Sequence, residues 1–177
     1  MQTVNSVSQI GQDYFVIQIL NNLTNGYFLD IGCAEPIRFS NTYILEKYFN
    51  WKGIGIDILD ASDKSGNWKE LRPNTKHIIE DALKIDYKQL LVENKAPKNI
   101  SYLSLDLEPP ELTLECLRKI PFDDYIFSVI TFETDEYRKG GVERAEISRN
   151  YLQSFGYKLH SSINKQDDVY VHSSIIK

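Results

Sequence analysis

The chain has 177 residues, 42% of them hydrophobic and 25% charged, with a net charge of −5. That length sustains a hydrophobic core and fits a single domain, residues 1–177, while the composition excludes an unfolded tail-like chain. The acidic balance excludes a broadly basic nucleic-acid face, and no apolar run approaches the ~20 residues a membrane span needs.

Two cysteines, Cys33 and Cys116, are too few for a disulfide framework or a zinc site. They fit a reducing, cytoplasmic setting, and the first residues show no basic-then-apolar leader.

In chain order, residues 8–23 place Ile10, Tyr14, Phe15, Ile17, Ile19, Leu20 and Leu23 at helical spacing, which predicts a helix ended by Asn25-Gly26. Residues 27–31 read as a short buried strand. Residues 40–49 read as a helix that Ser40 or Asn41 can cap. A second strand follows at 53–58. Residues 59–74 form a polar loop that Trp68 and Leu71 anchor, or in which they build a short helix. Strands are expected at 76–79, 100–107 and 126–133, with helices at 87–93, 111–118 and 143–155 between and after them. Pro110 suits the first turn of one helix, and Gly156 stops the last. Two strands, 157–162 and 169–175, close the chain through a hairpin-like connection at 164–168.

Strand–helix alternation followed by a strand pair predicts an α/β fold: a Rossmann-like, seven-stranded, mostly parallel sheet with one antiparallel closing strand and helices on both faces. Such sheets bind ligands at the carboxyl ends of their strands. Those ends carry Asp30-Ile31-Gly32-Cys33, Asp57, Asp81, Asp106-Leu107-Glu108 and Glu133-Thr134-Asp135. Each acid alone could cap a helix, but several at one rim repel unless donors, cations or a ligand offset the charge. Asp30 and Asp57 are 57 − 30 = 27 positions apart, the spacing of a strand–helix–strand nucleoside pocket whose second acid accepts from ribose hydroxyls.

Gly32 is followed by Cys33, Ala34, Glu35 and Pro36, so the dinucleotide pattern of three glycines is missing, and Glu35 would repel a pyrophosphate. That favours S-adenosylmethionine over NAD, with an NAD-dependent oxidoreductase as the alternative enzyme and a non-catalytic cofactor-binding module of a glycan-building assembly as the other class. Cys33 reads as a small turn residue in preference to a nucleophile.

Asp106 stands at the fourth strand, beside the switch region of the sheet. It is the first candidate for the base that takes a proton from a hydroxyl acceptor, with orientation of the cofactor or helix capping as its other reading. Glu108 and Glu133 are candidates for acceptor hydroxyls or a divalent cation; oxygen ligands suit Mg2+, although the spacing is no recognised metal motif and no metal ligand is assigned. The run through Asp135, Tyr137 and Arg138 reads as a solvated loop or as a substrate edge. His77 and His160 read as structural or exposed. His172 reads as a hydrogen-bonded structural group or a substrate-side residue.

The order of these segments resembles the FkbM-type S-adenosylmethionine-dependent methyltransferases. The resemblance runs through Ser8 to Asp13, Phe28-Leu29-Asp30-Ile31-Gly32, Ser40 to Glu46, and Trp51 to Asp57. It continues through Tyr102 to Glu108, Ile130 to Glu133, and Asp167 to His172. It implies cofactor contacts from Gln12, Asp30, Gly32, Cys33, Glu35, Asn41, Asp57, Ile58, Asp81, Ala82 and Asp106. Asp30 and Gly32 would lie at the methionine end, Asp57 at the ribose and Asp81 at the adenine amine. It further implies methyl transfer to oxygen on a small-molecule or glycan acceptor. A length of 177 residues leaves little room for a separate acceptor domain, which favours an acceptor held by loops or a surface completed by a second subunit, in a homo-oligomer or a larger glycan-building assembly. Three departures stand out: Glu35-Pro36 in the first turn, Pro109 where the family carries glycine, and Thr134 where related chains often carry histidine.

Overall fold

The structure, a computed structural model, describes residues 5–61 and 66–175. Its seven strands are β1 (Tyr27–Ile31), β2 (Lys52–Asp57), β3 (Thr75–Ile79), β4 (Asn99–Leu105), β5 (Ile126–Glu133), β6 (Tyr157–Ile163) and β7 (Asp167–His172). They form one sheet in the order β3-β2-β1-β4-β5-β7-β6. β1 to β5 pair in parallel, and β7 runs antiparallel to both β5 and β6. The helices are α1 (Gln12–Ile19), α2 (Tyr43–Phe49), α3 (Trp68–Leu71), α4 (Tyr87–Glu93), α5 (Glu111–Leu117) and α6 (Gly141–Ser154).

Successive strand residues point to opposite faces, so a sheet covered on both sides needs apolar residues at nearly every position. β1 meets this with all five residues buried. Leu29 and Ile31 join Leu103, Leu105, Ile130 and Phe132 on one face, against Tyr87 and Leu91 of α4, Cys116 and Leu117 of α5 and Leu152 of α6. Phe28, Tyr102, Val129 and Val169 form the other face, against Val16 of α1 and Leu45 of α2.

Several boundaries differ from the sequence reading. The first helix, expected over 8–23, starts only at Gln12, because Gly11 takes a left-handed conformation at φ 90 and residues 6–8 fold back onto Asp13. α2 starts at Tyr43, where Ser40 Oγ accepts from the Tyr43 amide at 3.1 Å. β4 ends at Leu105, so Asp106 begins the loop instead of ending the strand. β7 starts at Asp167, two residues before the expected 169, and stops at His172, where a short 3-10 turn takes over. Within the expected loop at 59–74, residues 62–65 lie outside the described residues, and Trp68–Leu71 is the anticipated short helix, capped by Asn67.

Candidate functional site

A cavity of about 500 Å³ opens at the carboxyl ends of β1, β2, β4 and β5. Its first wall is the turn after β1. Gly32 sits at φ +82, and a Cβ there would come within 1.6 Å of the Asp106 carbonyl oxygen. Only glycine lets the β1 and β4 loops meet so closely. Cys33 lies inside the same turn against Gly55, where burial first, then Asp30 and Asp57, push its thiol well above the ordinary range. It is a protonated packing group at neutral pH, in keeping with the turn-residue reading.

Asp30 is 1% exposed and accepts from Thr42 Oγ1 at 2.7 Å. Thr42 Oγ1 in turn accepts from Arg72 Nη2 at 2.9 Å. Arg72 is itself fully enclosed: it ion-pairs with Glu46 at 2.6 Å and donates to the Pro36 carbonyl at 3.0 Å and to Ser40 Oγ at 3.1 Å. A buried guanidinium thus staples the β1 loop to α2 and braces Asp30 from behind. Sequence reasoning missed Arg72, because it lies in a polar loop and its partners are scattered along the chain. Burial pushes the Asp30 carboxyl up, and Thr42 and Arg72 work against that push.

Asp57 ends β2 with both oxygens on backbone amides, Ala34 N at 2.9 Å and Leu59 N at 3.0 Å. Each carboxylate oxygen keeps a further lone pair for a ligand. Asp81 accepts from the Leu83 amide at 2.9 Å, so the capping role is real, and it also lines the cavity. That amide holds its carboxyl below the usual range. Ile58 and Ala82 line the same end, together with Leu59 and Leu83. Asn41 lines the cavity and donates to Ser104 at 3.0 Å, while its buried Oδ1 has no donor among the described residues.

The floor is acidic. Asp106, Glu108, Glu133, Asp135 and Asp167 all line it, and Arg138 is the single basic lining residue among the described residues. Burial, then the neighbouring acids, pushes Glu133 far up; burial also raises Asp106, and the two carboxyls face each other. Such a pair holds one proton between them at neutral pH. Asp167 is pushed up to about 7, chiefly by burial and then by Asp106. Arg138 lies 2.9 Å from the Glu108 carboxylate and places Nε 2.8 Å from Asp135 Oδ2, close in charge but without a well-aligned hydrogen bond to that oxygen. One oxygen each from Glu108, Glu133 and Asp135 lies within 4.8 Å of the others. Tyr137 stands exposed at the rim.

Three anticipated site residues lie elsewhere. Gln12 is buried one step behind the wall, holding Asp167 through Nε2 at 3.0 Å. Glu35 stays outside the cavity lining and pairs with Arg38 at 3.2 Å. His172 sits at the opposite edge of the sheet, paired with Tyr157 and bonded to Ser174 Oγ at 2.7 Å. Because β7 runs against β5, its first residue faces the site: Asp167 pairs with Glu133, and the end of β7 points away. The antiparallel closing strand expected from the sequence already carried that signal for Asp167.

The fold is the Rossmann-like fold of the seven-stranded methyltransferases. A candidate rRNA methylase from Clostridium thermocellum superposes with a TM-score of 0.57 at 15% identity, over 94% of this chain and 97% of that one. A candidate S-adenosyl-L-methionine-dependent methyltransferase from Methanococcus maripaludis gives 0.52 at 12% identity, over 97% and 96%. The pyocyanin biosynthetic protein PhzM gives 0.53 at 14% identity, and the match spans 93% of this chain but 55% of that one. No protein-family model matches the sequence, and no curated protein matches it. Among the described residues, no helix is long and apolar enough to cross a membrane.

Proposed function

We propose that the chain is an S-adenosylmethionine-dependent O-methyltransferase of the FkbM type, acting on a hydroxyl of a small polar acceptor, a sugar or glycan. One observation carries the reading: Asp30, Asp57 and Asp81 line a single cavity around a turn whose one glycine leaves no room for a Cβ. The donor set fits the cofactor. Asp57 offers free lone pairs to a ribose, and Asp81 can accept from an adenine amine between Ile58 and Leu83. Asp30 and Asn41 give the methionine end a polar wall with a carboxyl group suited to an ammonium.

When bound, the cofactor supplies an electrophilic methyl carbon on a positively charged sulfur. The residues of the chain position the acceptor and move its proton. The Asp106–Glu133 pair carries one negative charge and one proton, and its charged half accepts the hydroxyl proton. Asp135, Tyr137 and Arg138 form the acceptor side of the rim. Arg138 already supplies a cation to Glu108 and Asp135, so the proposal includes no Mg2+. The fold likeness and the match of the ordered motifs to the FkbM pattern support this reading.

Calorimetry tests it. S-adenosylmethionine or S-adenosylhomocysteine is expected to bind at micromolar levels and NAD not to bind. The reverse ranking would eliminate the proposal.

A further inference from the structure

Trp68 opens α3 and stands outside the cavity lining, yet it bonds to the turn that holds the cofactor in the reading above, on which this inference rests. Its indole Nε1 donates to the Ala34 carbonyl at 3.3 Å. Ala34 sits at φ 46, in the left-handed region where a Cβ crowds the following carbonyl. A residue with a Cβ stays there when its surroundings hold it there. Two side chains hold Ala34, one at each end. Asp57 Oδ2 accepts from its amide at 2.9 Å, and Trp68 donates to its carbonyl. The indole is itself fixed. It is 3% exposed, stacks on the His77 ring at 4.4 Å with 13° between the planes, and has the Arg72 guanidinium carbon 5.0 Å from its ring centre. Arg72 already braces Asp30 through Thr42. Through Trp68 and Ala34 the same bracket reaches Asp57, at the other end of the cavity.

We infer that Trp68 is a positioning residue for the ribose of the cofactor: its indole N–H keeps Ala34 left-handed, and Ala34 keeps the Asp57 carboxylate turned to accept from the ribose hydroxyls. Two amides set the plane of that carboxylate, Ala34 on Oδ2 and Leu59 on Oδ1. Without the indole donor, Ala34 relaxes toward an ordinary φ and its amide leaves Oδ2. The carboxylate then turns on the single amide that remains, and a ribose must order it on binding. A tryptophan that only filled space would need its rings and not its N–H, so a phenylalanine would serve in its place.

The test uses the whole chain and two ligands, S-adenosylhomocysteine and its 2′,3′-dideoxy analogue, titrated by calorimetry. Trp68→Phe keeps an aromatic ring in the stack and removes the donor. It is expected to weaken S-adenosylhomocysteine about fivefold, the worth of one hydrogen bond, and to leave the dideoxy analogue within about twofold. In a chain that already carries Asp57→Asn, Trp68→Phe is expected to cost less than about twofold more, because the acid it serves is gone. Equal losses for the two ligands, a loss that persists undiminished beside Asp57→Asn, or unchanged affinity for S-adenosylhomocysteine would each reduce Trp68 to packing and overturn the inference. The unvaried chain gives a second readout by NMR, which stands even where the variant fails to fold. At saturation, S-adenosylhomocysteine is expected to slow solvent exchange of the Trp68 indole N–H about fivefold more than the dideoxy analogue does, since the coupling is reciprocal. The Trp51 indole, bonded to the Leu23 carbonyl at 2.8 Å outside the cavity lining, is the control. Equal slowing of the Trp68 proton by the two ligands overturns the inference. Failure of the unvaried chain to bind S-adenosylhomocysteine, or equal affinity for the two ligands in that chain, would instead overturn the cofactor reading at Asp57.

Discussion

Gln12 donates from its side-chain amide to Asp167 across 3.0 Å, joining residues 155 positions apart in the chain. Both are buried, and Asp167 is pushed up to about 7, so its folded form holds a proton that the unfolded chain releases near pH 4. A carboxyl raised in this way favours the fold fully below its unfolded pKa and loses that contribution as pH rises through about 7. Gln12→Ala removes the one side-chain donor that opposes the rise. Its cost, about 1–3 kcal/mol, is expected to be larger at pH 8 than at pH 5, as urea midpoints at the two pH values would show.

Asp57→Ala is expected to weaken S-adenosylhomocysteine binding by about 1–3 kcal/mol, measured by calorimetry. Because Asp57 also holds the Ala34 and Leu59 amides, Asp57→Asn serves as the partner variant, keeping one acceptor oxygen in place. Unchanged affinity in both would remove Asp57 from the cofactor site.

Gly32→Ala forces a methyl group into the Asp106 carbonyl, where the ideal position lies at 1.6 Å. The β1 and β4 loops must separate, and the expected result is more than tenfold weaker cofactor binding in a chain that keeps its far-ultraviolet circular dichroism. Native affinity in this variant would mean that the two loops can part without consequence for the site.

Arg72→Met strands the Glu46 carboxylate in the interior and is expected to cost about 3–5 kcal/mol. Adding Glu46→Leu removes the stranded charge, so the double variant is expected to be more stable than Arg72→Met alone. Chemical denaturation of the native chain, Arg72→Met, Glu46→Leu and the double variant checks this, and strict additivity would count against a coupled pair.

A cation entering the acidic cavity stabilises the ionised acids and so displaces protons. The raised acids of the cavity are Asp30, Asp106, Glu133 and Asp167. Affinity for S-adenosylmethionine is therefore expected to rise with pH through about 6 and about 7, where Asp106 and Asp167 lose their protons. Calorimetry in buffers of different ionisation enthalpy should show proton release on binding; proton uptake would contradict the charge assignment.

Much of this fold was legible because each strand of the sheet's centre is apolar on both sides. Residues 126–133 needed no correction, since a run such as Ile126–Glu133 has one register that buries both faces. Ends set by side-chain capping were less legible. Asp13 organises residues 6–8 through bonds that span a few positions, and a helical period gives no hint of them. In the site, acids at strand ends were found because strand ends are readable. Arg72 was not, since its role depends on which distant segments meet; Asp167 was passed over although an antiparallel closing strand turns its first residue toward the site.

The cavity's wall is finished by Gln166 and Asp167, at the start of the last strand. Contacts between residues so distant along the chain form late, after the loop between them has closed. During synthesis the central strands can pair well before that wall exists. A chain made only as far as β5 would hold the glycine turn and most of the acids yet leave the pocket open on one side, so ligand capture must wait until the ribosome has delivered Gln166 and Asp167.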